Sequence, residues 1–347
     1  MSDAETRREH ALEWARDARL DAVARRLAAF VHRLACERGD DEHAAALAAT
    51  AALLVLERNR GHLCVTPDEW AGIPLPFEVG IEVVPGVPLL DPWHQALDAS
   101  ALVGTGEGPT AFVRDPAGRL YLYRDYAAEQ RLAARIAAMV RAEPFPAPGV
   151  GTRELFAQLF PGAKPEGVGL AAVTALRGQF TLITGGPGTG KTTAVMRILA
   201  LLRAENPELR TALAAPTGKA ASRLSASLEQ QRAQLSREDS RAESLPTEVT
   251  TVHRLLGYRP DEESYRHHAG NPLRADVVVV DEASMVDLLL MDSLVDALAP
   301  RTRLILLGDK DQLASVDAGY VLGDIVDASG PDPGSAARSK ALARWAT

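Results

Sequence analysis

The segment that most limits what this chain can fold into is Gly185-Gly186-Pro187-Gly188-Thr189-Gly190-Lys191-Thr192, which satisfies GxxxxGK[ST]. It stands directly after a β-like apolar run at 180–184 and directly before a helical pattern carrying Val195, Ile198, Leu199 and Leu202 on one side. Glycines in such a turn let backbone N–H groups converge on phosphate oxygens at a helix N-terminus. Lys191 adds a point charge toward the β- and γ-phosphates of a nucleotide, and the hydroxyl of Thr192, which Thr193 follows, can ligate magnesium. The loop through Thr193 is therefore the expected nucleotide site. A Gly-rich tight turn with a solvated lysine is the plainer alternative, and the strand-before, helix-after context weighs against it.

A catalytic site of this kind also needs carboxylates at the end of a neighbouring strand. Val277-Val278-Val279-Val280 is followed by Asp281 and Glu282. Adjacent side chains at a strand end diverge, so Asp281 is assigned to magnesium and Glu282 to activation of the attacking water. An acidic helix cap is the alternative. A further apolar run ends in Gly308-Asp309-Lys310-Asp311-Gln312. From there Gln312 can contact the γ-phosphate and report its presence, unless Asp309 and Gln312 only shape a turn.

The chain has 347 residues, enough for two domains at roughly 150 residues each. Residues 12–56 are rich in Ala, Leu, Arg and Glu at helical spacing. Short β-like runs at 111–113 and 120–123 flank Asp115-Pro116-Ala117-Gly118 and predict a hairpin. A second helical pattern spans 126–142 and gives way to the alternating prolines of 144–148. The predicted organisation is a mainly helical N-terminal domain over 1–143, a Pro-rich linker over 144–150, a nucleotide-binding domain over 151–328 and a flexible tail over 329–347. In the third of these, unalternated apolar runs at 180–184, 211–215, 276–280 and 303–307 suit strands buried on both faces of a parallel sheet, hence an α/β fold. The polar stretch 225–248 reads as an exposed helix or a mobile insertion.

Apolar residues at 46% exclude a disordered or collagen-like chain, and a net charge of −8 excludes an evenly basic nucleic-acid coat while leaving room for a local cationic groove. Cys36 and Cys64 are too few for a disulfide framework or a zinc site, which suits a reducing cytoplasm. The charged N-terminus and the absence of a long apolar run argue against secretion and membrane spanning. His267 and His268 tempt a metal assignment, but adjacent residues in a strand point to opposite faces.

Further segments narrow the reading. Ala215-Pro216-Thr217-Gly218-Lys219-Ala220-Ala221 looks like motif Ia of superfamily 1 helicases, and Thr250-Thr251-Val252-His253-Arg254-Leu255-Leu256-Gly257 resembles the next DNA-side motif. His267-His268-Ala269-Gly270-Asn271-Pro272-Leu273 before the Asp281 motif, and the stretch 307–325, are similar to the RecD family, the alpha subunits of exodeoxyribonuclease V. Gly61-His62-Leu63-Cys64-Val65 and Gly118-Arg119-Leu120-Tyr121-Leu122 extend the resemblance more loosely into the N-terminal part.

The resemblance implies a RecA-like P-loop domain using ATP and Mg2+ to move 5′ to 3′ along single-stranded DNA. It also implies work at duplex DNA ends, inside a RecBCD-type complex serving double-strand break repair and recombination. The partners would be a helicase-nuclease beta subunit and a scaffold gamma subunit, the latter docked by the helical N-terminal domain; any DNA cutting would belong to a partner. Thr217, Gly218, Lys219 and His253 would contact the DNA backbone without reading sequence. Thr217 and Gly218 equally suit a strand-to-helix turn, Lys219 a solvated first-turn residue and His253 an interior histidine.

Two departures from the family pattern stand out. The adenine-reading Gln that helicases of this kind carry upstream of the loop is absent from 165–172. The chain also ends at Thr347, shortly after motif III, without the arginines of a second motor domain, from which impaired turnover by the isolated chain is expected. A non-catalytic subunit that docks on the partner complex is the competing reading, and an unrelated phosphate-loop ATPase a third.

Overall fold

The computed structural model describes residues 21–72, 90–161, 167–186, 188–236, 240–309 and 318–329. The chain forms two compact units, Met1–Gln130 with Val316–Gly319, and Arg131–Ser315 with Tyr320–Thr347. Gln312, Pro187 and the expected tail over 329–347, save Ser329, lie outside the described residues.

The first unit opens with α1 (Ala22–Glu37), capped by the Asp21 carboxylate, which accepts hydrogen bonds from Val23 N and Ala24 N at 2.8 and 3.0 Å. Ala24, Ala28, Val31 and Ala35 form its buried stripe, and their small side chains suit close packing on the Ala-rich helix α2 (Ala44–Asn59). Then come β1 (Cys64–Val65), the short α3 (Pro67–Trp70) and α4 (Leu90–Ala99). The indole of Trp93 on α4, fully buried, donates to Thr50 Oγ1 at 2.9 Å, so the largest core side chain keeps its polar edge satisfied.

After β2 (Val103–Gly104), the expected hairpin forms from β3 (Phe112–Arg114) and β4 (Leu120–Leu122), with Val113 opposite Tyr121. Its turn is held by Asp115, whose Oδ1 accepts from Ala117 N and Arg119 N at 3.0 and 2.9 Å. What the sequence patterns did not indicate is that the hairpin is the centre of a four-stranded sheet ordered β1-β4-β3-β2. Helix α5 (Tyr123–Arg141) follows, and the division between the units falls inside it.

The second unit contains α6 (Val150–Leu159), α7 (Val168–Arg177), β5 (Phe180–Thr184), α8 (Lys191–Glu205), β6 (Thr211–Ala215) and α9 (Gly218–Leu235). It continues with β7 (Thr250–Thr251), α10 (Val252–Leu256), a small hairpin of β8 (Tyr258–Arg259) and β9 (Ser264–Tyr265), then β10 (Val277–Val280), α11 (Leu288–Asp296), β11 (Arg303–Gly308) and α12 (Val321–Ser329). Five strands pair in parallel in the order β5-β11-β10-β6-β7. Alternate residues Leu213, Val277, Val279, Ile305 and Leu307 enter one core cluster with α6 to α9, while Val278, Val280, Leu304 and Leu306 are equally buried. This is why the runs carry no polar alternation. The unit is the expected α/β sheet with flanking helices. Among the described residues, no helix is long and apolar enough to cross a membrane.

The reading of 225–248 as an exposed helix or mobile insertion needs correction. Most of α9 is polar, yet Leu224, Leu228 and Leu235 are buried in the same cluster, joined by Ala242 and Leu245 beyond the helix. Leu228→Ala is expected to cost about 2–5 kcal/mol in chemical denaturation. Replacement of the exposed neighbour Glu229 by Ala should stay within about 0.5 kcal/mol; equal effects would mean that the helix is not anchored.

Candidate nucleotide-binding site

The glycine loop starts as a continuation of the sheet, with Gly185 N donating to Gly308 O at 3.3 Å. A Cβ on Gly185 would lie 2.9 Å from Thr189 Oγ1, so the turn closes more tightly than a side chain permits. Gly188 and Gly190 take φ of 76° and 82°, and Gly190 caps α8 in the left-handed region without a side-chain cap bond. The first N–H groups of α8 therefore carry no capping side chain, and the helix dipole makes them an anion site. Lys191 folds back over the loop, its Nζ donating to Gly185 O and to Gly186 O, the latter at 3.1 Å. Thr189 Oγ1 donates to the same Gly186 carbonyl at 2.9 Å. Thr192 and Thr193 begin α8, half-buried.

Asp281 leaves β10 at the same end of the sheet, its N–H donating to Ala214 O on β6 at 3.0 Å. The carboxylate is pushed above the ordinary aspartate range, first by burial and further by the adjacent Glu282 charge; the Glu282 N–H donated to Oδ1 at 2.9 Å and the charges of Lys191 and Arg223 oppose the rise. Glu282 has φ 52° and ψ 39°, left-handed for a residue with a side chain, and opens a single 3-10 turn over Ala283–Met285. The reversal of the chain that separates Asp281 from Glu282 thus comes from this strained residue, in addition to the pleat of the strand.

Two features differ from expectation. The strand bearing Asp281 is one removed from β5, because β11 lies between them. The other is that β11 delivers Asp309, 6% exposed, to the loop: its Oδ2 is 4.0 Å from where a Cβ on Gly186 would be. The Gly308-Asp309 run was the signal for this residue. Ser284, buried in the turn after Glu282, has an Oγ without a hydrogen-bond partner. Among the described residues, no three His, Cys, Asp or Glu side chains gather as a metal cage.

Thr217 accepts from Ala220 N at 3.2 Å as the cap of α9, with Gly218 and Lys219 exposed beside it. The strand-to-helix turn and an accessible Lys219 are therefore both present. His253 is exposed on α10, not interior. His267 and His268 turn onto local backbone, His267 Nδ1 lying 3.1 Å from Asn271 O and His268 Nδ1 accepting from Gly270 N at 3.1 Å.

Because the folded-state value of Asp281 is raised, its contribution to stability is complete below the ordinary value and is lost as pH rises through the raised one. Asp281→Asn, which keeps an acceptor for Glu282 N–H, is expected to raise Tm by a few degrees at pH 7. The gap should close as pH falls toward about 4. A variant less stable than the parent at pH 7 would contradict this placement of the carboxylate.

A family model described as an AAA domain matches residues 170–318, and one described as the N-terminal domain of RecBCD enzyme subunit RecD matches residues 17–121. The chain is 44% identical over 298 residues to RecBCD enzyme subunit RecD of Mycolicibacterium smegmatis, covering 84% of this chain and 50% of that protein. The Mycobacterium tuberculosis RecD is 39% identical over 300 residues, 85% of this chain and 49% of its own. The ATP-dependent RecD2 DNA helicase of Deinococcus radiodurans is 36% identical over 206 residues, 59% and 26% respectively. The chain thus spans about half the length of the RecD subunits it matches. A match to the RecD N-terminal model, a match to an AAA-domain model and 44% identity over 84% of the chain to a RecD subunit mean that this chain belongs to the RecD family.

Proposed function

We propose that the second unit is the nucleotide-binding part of a DNA helicase motor that uses ATP with Mg2+. The observation that carries this reading is the convergence of Lys191, Asp281 and Asp309 on a loop whose helix N-terminus has no capping side chain. Burial raises the Asp281 carboxyl in spite of the Lys191 and Arg223 charges, and a desolvated carboxylate beside the loop is the environment that a magnesium ligand needs. Thr192 and Asp281 would hold the ion, which when bound neutralises charge on the β- and γ-phosphates.

The chain's own groups divide the remaining work. Loop N–H groups orient the phosphates, and Lys191 leaves the Gly185 and Gly186 carbonyls to neutralise the transferring group. Glu282, aimed apart from Asp281 by its left-handed backbone, accepts the proton of the attacking water at its carboxylate. Gln312 reports the γ-phosphate. Thr217, Gly218, Lys219 and His253, at the ends of the adjacent strands β6 and β7, hold the backbone of single-stranded DNA.

The relatives named RecBCD enzyme subunits support assembly into a complex of that type; a beta helicase-nuclease and a gamma scaffold subunit are the proposed partners, with the first unit as the proposed docking region. Residues 144–150 are proposed as the connection to the motor domain, and the cytoplasm as the site of action at DNA ends.

Binding of a fluorescent ATP analogue with Mg2+ tests the nucleotide site. Lys191→Ala should weaken binding by about tenfold or more, the loss of charge-assisted hydrogen bonds. Glu282→Gln should leave binding within about twofold while lowering turnover by about 10²-fold or more. Undiminished binding by Lys191→Ala would remove the basis of the motor reading.

A further inference from the structure

Beyond the phosphate-facing residues, the same end of the sheet carries a group of rings. Thr251 on β7 is level with Ala215 at the end of β6, so α10 and the Thr217-Gly218-Lys219 turn leave from adjacent strand ends. His253 on α10 meets two tyrosines of the small hairpin: its ring is 5.8 Å from Tyr258, edge-on, and 6.1 Å from Tyr265. The tyrosines, directly opposite each other across β8 and β9, are 5.4 Å apart and tilted by 52°.

The hairpin is anchored by backbone. Arg266 N donates to Gly257 O at 3.1 Å and His267 N to Leu256 O at 3.0 Å, tying its base to the end of α10. Gly257, at φ 68°, has room only for hydrogen, since a Cβ would lie 2.9 Å from Arg266 Cβ. At the tip, Glu262 accepts from Arg259 and from Ser264 Oγ, each at 3.0 Å. The rings are thus held by fixed main chain.

A ring cluster serving only to pack the hairpin would bury its faces. Here His253 is exposed, Tyr258 is 43% exposed and Tyr265 is half-buried. Exposed Lys219, Arg254 and Arg266 belong to the same strand-end segments; of the acidic residues, Asp261, Glu262 and Glu263 stand at the hairpin tip, while the Asp287 charge reaches Tyr265. Flat rings on a rigid support, with cations to meet a backbone, match the chemistry of unpaired bases.

We propose that His253, Tyr258 and Tyr265 form a stacking platform for the bases of single-stranded DNA, with Tyr258 as the principal contact. The platform rests on the DNA-motor reading above and adds to it a contact with the base faces. It is indifferent to base identity, because every base offers a π-face.

Fluorescence anisotropy at fixed salt, with the full chain and two labelled probes, tests it: an oligothymidylate and an abasic deoxyribose-phosphate oligomer of equal length. The parent is expected to bind the oligothymidylate more tightly. Tyr258→Ala should weaken that binding about tenfold and leave the abasic probe unchanged, while Tyr258→Phe retains parental affinity for both. Lys219→Ala should weaken both probes equally. Thermal melting of each variant identifies a fall in affinity caused by misfolding, and the Tyr258→Phe comparison then decides on the ring alone: a folded Tyr258→Phe with Ala-like affinity refutes stacking. Equal loss on both probes by Tyr258→Ala, or no loss, overturns the platform and leaves the motor reading standing. Failure of the parent to bind either probe overturns both.

Discussion

A half-buried carboxylate within the field of a lysine ammonium is the constraint on which the functional end of the second unit depends. Asp281 lies at the end of Val277–Val280, a strand buried on both faces, where solvation of its charge is poor and its proton is held more tightly than usual. Lys191 partly offsets that cost, and its own ammonium is occupied by the carbonyls of Gly185 and Gly186. Among the described residues, neither group closes an ion pair. The site therefore keeps unspent electrostatic capacity for a phosphate and a cation, and the rest of the sheet is the scaffold that keeps this capacity in place.

The scaffold works because the parallel ladder runs out at different rows. Val280 pairs with Leu306 on one side and Ala214 on the other, while β11 continues two residues further to Gly308, paired with Thr184. The staggered edge puts Asp281, Asp309 and the glycine loop at one end of the sheet. Ligand sites of open α/β sheets lie at the carboxyl ends of the strands for the same reason.

Much of this was legible in the sequence because two-sided burial removes polar alternation. The runs at 180–184, 211–215, 276–280 and 303–307 all became strands within a residue of their sequence bounds. Strand order was not legible, since nothing local in Arg303–Gly308 says that it inserts between β5 and β10. Strand β7, two residues long, is below the length at which a period can be read. In α9 the buried Leu224, Leu228 and Leu235 are spaced among Ser, Gln and Arg, so composition hid a genuine apolar stripe. At the site, the loop and the acid pair were visible as motifs. The left-handed backbone at Glu282 was not, because a glutamate gives no hint of positive φ. Exposure of His253 also escaped the sequence, where an isolated histidine among apolar residues suits either environment.

Gly308 ties separate parts of this arrangement to one atom's worth of space. A methyl group there would stand 2.8 Å from Leu322 Cδ1 and 3.2 Å from the Ser284 nitrogen. The exit of β11, the turn behind Glu282 and the first residues of α12 consequently share a single point of contact without slack. Any rearrangement that re-aims Glu282 must be felt by α12 or by the strand that carries Asp309, so the geometry of the acidic turn and the seating of a helix far along the sequence form one mechanical unit.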